Sequence, residues 1–292
     1  LDQCTTGQQN TAVGAGGPLG GLTTGEYNTA VGSAAMDAVT TGSSNVGVGV
    51  HALSTITDGG GNTAVGYQAC YVTTASNNSA FGDYSLVSCT TGANNCCYGS
   101  QSGYNITTGA NNTTVGRNAG YDLTGGANNV LIGLSAGRST SPSGILQTAS
   151  NKVVIGNNDI TTSYVKVDWT VTSDRRDKTD IEPFNHGLSW INKLNPVTYR
   201  WDNRSFYDNG IPDGSKKQSK LNVGLIAQDE IEVEKEHGYG DTADNMLVTD
   251  VNADGNYGMQ YSKLVPILIN AVKELSAKNE ALEARLAALE SK

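Results

Sequence analysis

The sequence predicts a mainly β fold: a parallel β-solenoid of repeats of about 17 residues, followed by a small α+β domain that ends in a long coiled-coil helix. Three observations support this prediction. A glycine recurs at a nearly constant interval through the first half of the chain, charged side chains are concentrated in the second half, and leucines recur every seven residues near the end. The length of 292 residues also suggests two domains.

The repeat is defined by eight glycines that each follow an apolar or aromatic residue at intervals of 16 to 18 residues. Each glycine is preceded by an asparagine at the fourth position before it and followed by a small residue at the third position after it. A period this short, with one strand pattern and one turn in each unit, is typical of a solenoid in which every repeat forms one coil. The asparagines are Asn10, Asn28, Asn45, Asn62, Asn78, Asn95, Asn112 and Asn129, and the glycines are Gly14, Gly32, Gly49, Gly66, Gly82, Gly99, Gly116 and Gly133.

Each repeated position suggests a structural role. We expect the residue before each glycine, such as Val31 or Phe81, to point into the coil. The glycine either needs a positive φ or lacks room for a Cβ atom, and the small residue marks a close approach of the backbone. The asparagine either stacks into a ladder of side-chain amides or caps a turn through its own backbone, and the sequence leaves both roles open.

A single coil encloses only two or three inward apolar residues, which is a small core, and it leaves the sides of the coil exposed to water. Three chains packed together would cover these exposed sides. The repeat resembles the head repeats of trimeric adhesins, which are left-handed β-rolls with an asparagine, an apolar–glycine pair and a small residue in each coil. That resemblance implies a trimeric β-roll. The repeats here are slightly longer than those of the adhesins.

The repeats predict a shaft over residues 1–137, and a Ser/Thr/Pro/Gly stretch then interrupts the period. Residues 153–156 restore one coil with Lys152 in place of asparagine, and residues 164–171 alternate like a strand. We therefore place a junction at 138–172 and a second domain at 173–292. Only 4 of the 19 basic and 8 of the 28 acidic side chains precede residue 173, which agrees with this division.

Bulk properties exclude several partners and cofactors. The net charge of −9 argues against nucleic acid as the main partner, because phosphate binding needs a basic surface. No apolar run is long enough for membrane insertion. The five cysteines fit no zinc spacing, and we interpret them as small residues at repeat positions rather than as disulfides. We expect neither a metal nor a cofactor.

In the second domain, residues 187–194 predict a short helix, and residues 197–201 and 223–226 predict strands. Residues 250–255 resemble the start of a calcium loop, but Tyr261 stands where its glutamate would be, so we expect an Asp-Gly hairpin turn. Residues 262–292 form a heptad pattern that predicts a coiled coil of three helices. One core position holds Leu268, Leu275, Leu282 and Leu289, and the other holds Val265, Val272, Asn279 and Leu286.

A serine and a lysine stand five residues apart at the start of this domain, in Ser173-Asp174-Arg175-Arg176-Asp177-Lys178. A lysine can remove the proton of a serine hydroxyl if burial or neighbouring cations make its amine neutral. Arg175 and Arg176 supply such cations, and Asp174 or Asp177 could orient them. His186 and His237 are rival bases, but both are distant in sequence.

The hexapeptide is followed in order by the blocks at 179–181, 187–201, 223–229 and 261–275. Together they resemble the intramolecular chaperone domain at the C-terminus of phage tailspikes and tail fibres, the endosialidase-type auto-processing peptidases. The resemblance covers about residues 173–292. It implies a domain that trimerises, assists folding of the fibre and then cuts the Ser173–Asp174 bond once, with Ser173 as nucleophile and Lys178 as general base.

We therefore expect the distal part of a phage tail fibre or spike, assembled in the host cytoplasm and carried on the virion. A host-surface glycan or protein is the expected receptor, and the rest of the fibre is expected to precede residue 1, since residues 4–7 match the repeat segment 89–92. The alternative is a trimeric cell-surface adhesin head with a C-terminal trimerisation cap that does not cleave. A glycan-cleaving spike ranks last, because the shaft has few carboxylates.

Overall fold

The computed structural model describes residues 3–252 and 255–291. The chain divides into two compact units: Leu1–Ser163 with Asp208–Gly210, and Tyr164–Tyr207 with Ile211–Lys292. Ala253 and Asp254 of the predicted Asp-Gly turn lie outside the described residues.

The first unit is a parallel β-solenoid with one three-residue strand in each coil. Every strand pairs in parallel with the next one along the chain, and equivalent repeat positions lie side by side. This confirms the predicted fold and period, including the coil restored after the interruption. The strands are β1 (Thr11–Val13), β2 (Thr29–Val31), β3 (Val46–Val48), β4 (Thr63–Val65), β5 (Ser79–Phe81), β6 (Cys96–Tyr98), β7 (Thr113–Val115), β8 (Val130–Ile132) and β9 (Val153–Ile155).

The strands place their middle residue inside the coil. Ala30, Ala64 and Cys97 are fully buried, whereas the residue before the glycine is partly or largely exposed. The prediction that this apolar residue points inward is therefore wrong. Successive strand residues face opposite sides, and the narrow interior accepts only one of three. Leucines and isoleucines at other corners, such as Leu53 and Ile106, complete the core.

The repeat glycines satisfy both predicted requirements. Their φ angles lie between +108° and +140°, a region that side chains with a Cβ atom rarely adopt. A Cβ added to Gly49 would also lie 2.4 Å from the carbonyl oxygen of Gly66 in the next coil. Seven of the eight small residues three positions later, such as Ala35 and Ser85, are fully buried, and Gly17 of the first coil is exposed.

The repeat asparagines form a ladder along the solenoid. The backbone and side-chain nitrogens of Asn45 both donate to Oδ1 of Asn28, at 3.0 and 3.2 Å, and its side chain also donates to the carbonyl of Gly59 at 2.9 Å. The pattern repeats in coil after coil, and even the backbone nitrogen of Lys152 donates to Asn129 Oδ1. The ladder hypothesis is confirmed, and each rung also connects neighbouring coils through a turn carbonyl.

All five cysteines are free thiols. Burial raises the pKa of Cys97 to about 12 and that of Cys89 to about 11. Because the thiolate is the reactive form and a raised pKa keeps these interior thiols protonated, they are unreactive.

The second unit is a small α+β assembly that ends in the long helix. Its helices are α1 (Leu188–Ile191), α2 (Ala227–Glu236) and α3 (Leu264–Glu290), of which α2 was not predicted. Two antiparallel pairs join β10 (Val197–Tyr199) to β11 (Asn222–Gly224) and β12 (Thr249–Val251) to β13 (Tyr257–Met259). The core consists of Trp190, Val233, Val248, Leu264 and Ile267.

The strand predicted over residues 164–171 does not form. This segment is irregular, and the side chains of Tyr164 and Trp169 are 93% and 78% exposed. An alternating pattern becomes a strand only when it pairs with a sheet edge, and this segment pairs with no strand of the described residues.

Candidate functional site

The Ser173–Lys178 segment folds into a tight turn that brings its two reactive side chains together. A single 3₁₀ turn spans Arg175–Asp177, and the backbone nitrogen of Lys178 donates to the carbonyl of Arg175. The turn reverses the chain, so that Nζ of Lys178 donates to Oγ of Ser173 at 2.5 Å. Both residues belong to the same turn of one chain, so a spacing of five residues is enough to bring the lysine amine to the serine hydroxyl.

Asp174 and Arg176 hold this turn in shape. The Asp174 carboxylate caps the turn by accepting from the backbone nitrogen of Arg176 at 2.9 Å, and it also pairs with the Arg176 guanidinium at 2.6 Å. These hydrogen bonds from Arg176 lower the pKa of Asp174. Of the two carboxylates considered for this role, Asp174 is the one that contacts an arginine.

The turn is open to solvent in the single chain. Ser173, Arg175, Arg176, Asp177 and Lys178 are all exposed, and Asp174 is half-buried. The predicted pair is therefore assembled, but the dry surroundings expected for an amine that acts as a base are not supplied by the chain's own described residues.

The two rival histidines belong to another cluster. Nδ1 of His237 hydrogen-bonds the carbonyl of Val233 at 2.8 Å, and its Nε2 hydrogen-bonds the hydroxyl of Ser189 at 3.2 Å. The His186 ring lies 5.0 Å from the His237 ring, and the latter stacks on Trp190. Both nitrogens of His237 are thus engaged by groups other than Ser173.

Helix α2 carries two buried carboxylates that the sequence analysis missed. Glu234 accepts backbone hydrogen bonds from Leu247, Val248 and Thr249 at 2.8–2.9 Å, and so fixes the segment leading into β12. Glu230 accepts a 2.8 Å hydrogen bond from Nε1 of Trp190. The signal was present: the two glutamates are four residues apart, beside the apolar Ile231 and Val233, on the helix face that packs inward.

Helix α3 presents two apolar faces. Leu264, Ile267 and Ala271 pack on the unit's own core, and Glu274 accepts from the backbone nitrogen of Leu188 at the start of α1. The heptad positions lie on the other face and are exposed, as are all described residues after 275. The predicted coiled-coil residues from Leu268 onward are Leu268, Val272, Leu275, Asn279, Leu282, Leu286 and Leu289, and Val265 precedes them on the same face.

Within residues 3–252 and 255–291, no cluster of three or more His, Cys, Asp or Glu side chains is placed to hold a metal ion. Within the same residues, no helix has the length and apolar character needed to cross a membrane.

Comparison with known families matches part of the second unit. Residues 173–239 match the family described as chaperone of endosialidase, and the match begins at Ser173 itself. Searches of curated proteins and of solved structures found no match. The matched segment contains the serine–lysine turn, helix α1, the β10–β11 pair and helix α2. The second unit therefore contains a segment similar to the chaperone of endosialidase family, in a chain whose first unit is a β-solenoid and whose last element is a long helix.

Proposed function

We propose that this chain is the distal part of a homotrimeric phage tail fibre or spike, whose C-terminal domain drives trimerisation and folding and then cuts itself away at Ser173. The observation that carries the cleavage proposal is the 2.5 Å contact between Lys178 Nζ and Ser173 Oγ at the start of the family match. The family belongs to phage tail proteins, which supports an association with the virion.

Trimerisation would give the heptad face of α3 its packing partners and would cover the Ser173–Lys178 turn. The exposed heptad face of α3 needs partner helices, since the leucines after residue 275 contact no core of their own. Three parallel helices would also align three shafts in register before their long-range strand contacts form, which is the slow step in folding such a topology. Neighbouring chains that cover the Ser173–Lys178 turn would remove water from the amine and favour its neutral form.

The proposed reaction has two steps. Neutral Lys178 takes the hydroxyl proton of Ser173 as Oγ attacks a peptide carbonyl carbon. The C–N bond then breaks, the new amine takes the proton, and an ester remains. Water hydrolyses the ester to a carboxylate and restores the serine.

Ring size restricts which carbonyl is attacked. Attack by Oγ on the carbonyl of its own residue would close a four-membered ring, so a cut at Ser173–Asp174 needs the Ser173 hydroxyl of another protomer or an activated water. Attack on the Thr172 carbonyl closes a five-membered ring and would instead cut the Thr172–Ser173 bond. We propose the Ser173–Asp174 bond, and the mass of the N-terminal product distinguishes the two.

The direct test is a denaturing gel of the expressed chain beside Ser173→Ala, Lys178→Ala and the charge-preserving Lys178→Arg. The proposal expects two fragments from the unmodified chain and one intact band from all three variants, because none of them keeps both the nucleophile and the base. Intact unmodified chains in a trimeric protein would contradict cleavage and favour a permanent trimerisation cap, as in the adhesin alternative.

Attachment to a host receptor is a further part of this proposal. A row of aromatic side chains crosses successive coils, in which Tyr67 contacts Tyr84, Tyr84 contacts Tyr104, and Tyr104 stacks on Tyr121 at 4.9 Å. The guanidinium of Arg138 lies 4.5 Å from the Tyr121 ring. A surface rich in tyrosine and arginine is typical of recognition sites. Binding of the Tyr84→Ala and Tyr121→Ala chains to host cells tests this, and unchanged binding would exclude the row.

A further inference from the structure

Ser189 and His237 lie side by side in the second unit, although 48 positions separate them in sequence. Oγ of Ser189 lies 3.2 Å from Nε2 of His237, and the other ring nitrogen, Nδ1, lies 2.8 Å from the carbonyl oxygen of Val233. Ser189 is exposed and His237 is half-buried. A serine hydroxyl, an imidazole and an oxygen acceptor in a row are the arrangement by which many hydrolases activate their nucleophile.

The Val233 carbonyl determines which nitrogen of the His237 ring carries the proton. A carbonyl oxygen can only accept a hydrogen bond, so Nδ1 must be the protonated nitrogen. In the neutral ring Nε2 then holds the free lone pair, and the Ser189 hydroxyl donates to it. The hydroxyl proton of Ser189 therefore already points at a base.

The way in which helix α2 ends makes this carbonyl available. The backbone nitrogen of His237 donates to the carbonyl of Glu234 at 3.0 Å instead of reaching back four residues to Val233. Carbonyls in the last turn of a helix need partners from outside the regular pattern, and the imidazole supplies one here. The position of His237 directly after the helix thus fixes the orientation of its ring.

The face of the His237 ring is fixed as well. It stacks on Trp190, with ring centres 4.7 Å and planes 26° apart. Trp190 is fully buried and donates its indole N–H to Glu230 at 2.8 Å, so this platform is itself held in place. Ser189 directly precedes Trp190 in α1, so one helix carries both the hydroxyl and the platform. A base held through its edge and its face keeps its geometry toward the hydroxyl.

We infer that Ser189 and His237 form a second serine site, which hydrolyses small carboxylic esters. Oγ of Ser189 attacks the ester carbonyl carbon while its proton passes to Nε2 of His237. The C–O bond of the ester breaks, the leaving alkoxide takes that proton, and an acyl-serine remains. Water then gives a proton to Nε2 as it attacks the acyl carbon, the serine oxygen takes this proton as it leaves, and a carboxylic acid is released.

A fluorophosphonate probe tests this site in the full-length Ser173→Ala chain, which lacks the nucleophile of the proposed self-cleavage. Oγ of Ser189 displaces fluoride from phosphorus while His237 takes the hydroxyl proton, and peptide mapping locates the stable product. The matched control is Ser276, an exposed helical serine whose hydroxyl donates to Glu280 rather than to an imidazole. Because of its general base, Ser189 should be labelled about a hundredfold faster than Ser276.

Two further variants separate activation from simple exposure. His237→Gln removes the base but keeps a side-chain donor for the Val233 carbonyl, and it should slow labelling of Ser189 by about a hundredfold. Ester turnover gives a readout that does not depend on the folding of that variant. The Ser173→Ala chain should release nitrophenolate from para-nitrophenyl acetate faster than the same chain carrying Ser189→Ala, which alters only an exposed side chain.

The outcomes separate this inference from the proposed function. Labelling of Ser189 at the rate of Ser276, unchanged labelling in a folded His237→Gln chain, or equal nitrophenolate release with and without Ser189 would overturn the second site. These chains lack Ser173, so none of these results bears on self-cleavage. An unmodified chain that stays intact would contradict self-cleavage and leave the Ser189 site standing.

Discussion

Trp190 and Glu230 are joined by a 2.8 Å hydrogen bond from the indole nitrogen to Oε1 of the carboxyl group, inside the core of the second unit. Oε2 of Glu230 is also buried and has no hydrogen-bond partner among the residues that the structure describes. Burial raises the pKa of Glu230 to about 7, with the nearby Glu234 adding to the rise. A protonated carboxyl group can thus persist in this core near neutral pH.

The raised pKa of Glu230 predicts how stability changes with pH. The folded state holds the proton up to about pH 7, and the unfolded chain releases it near the ordinary value of 4.5. The contribution of this group is therefore fully present below pH 4.5 and is lost as pH rises through 7, by about 1–3 kcal/mol.

Glu230→Gln removes the titrating group and should flatten the pH dependence between 5 and 7.5, with a gain in stability at the upper end. Urea unfolding at fixed protein concentration measures this. The same slope in both proteins would show that another group is responsible.

Glu234 predicts a loss of structure when its carboxylate is removed. Glu234→Ala leaves three backbone nitrogens without their acceptor and should destabilise the second unit by about 2–4 kcal/mol. The control is Glu232→Ala on the same helix, because Glu232 is exposed and pairs with Lys235 at the surface, so its loss should change little. Equal effects of the two substitutions in thermal unfolding would contradict the role assigned to Glu234.

The asparagine ladder predicts that one rung supports its neighbours. Asn95→Ala removes the acceptor of two Asn112 nitrogens and the donor to the carbonyl of Gly109. Since these groups are buried, we expect a loss of about 1–3 kcal/mol in the unfolding of the shaft. Thr91→Ala, at an exposed turn of the same repeat, should lie within about 0.5 kcal/mol of the unmodified chain.

The exposed heptad face of α3 predicts that this helix joins the chains of the proposed trimer. Leu282→Lys places a charge in the proposed helical seam and should yield monomers, or trimers that dissociate at micromolar concentration, in sedimentation experiments. Ala284→Lys adds the same charge two residues away on the opposite side of the helix and should leave the trimer intact. If both variants stay trimeric, the terminal helix is not the element that joins the chains.

The sequence predicted well where a pattern repeats or persists. The coil period, the ladder of asparagines and the long helix each depend on many equivalent positions. The same physical requirement applies at every one of those positions, so the pattern is visible in the sequence. The short helix before Pro196 and the β10–β11 pair were also found, because proline and β-branched residues restrict the backbone locally.

It failed where the outcome depends on packing between distant segments. The residue before each repeat glycine is apolar, so it was assigned to the interior, yet the narrow coil holds the smaller middle residue instead. The alternation at 164–171 has no partner strand in the described residues. Helix α2 was not predicted, because two residues on its inward face are glutamates, a residue type that is usually exposed. They are buried there because Trp190 and the backbone nitrogens of residues 247–249 donate hydrogen bonds to them.

The serine–lysine site was predicted in part. The residue types and their spacing indicated the pair, and the turn that joins Ser173 to Lys178 is local. The clamp between Asp174 and Arg176 depends on side-chain geometry that spacing alone does not determine. The proposed covering of the turn by neighbouring chains would depend on contacts outside the turn, which no local pattern encodes.

The most direct test of this account is the intact mass of the purified, unmodified chain under denaturing conditions. Self-cleavage at the proposed bond predicts two species, residues 1–173 and 174–292, whose masses sum to that of the 30.4 kDa chain plus one water. A single species at 30.4 kDa, from protein that sediments as a trimer, would contradict self-cleavage.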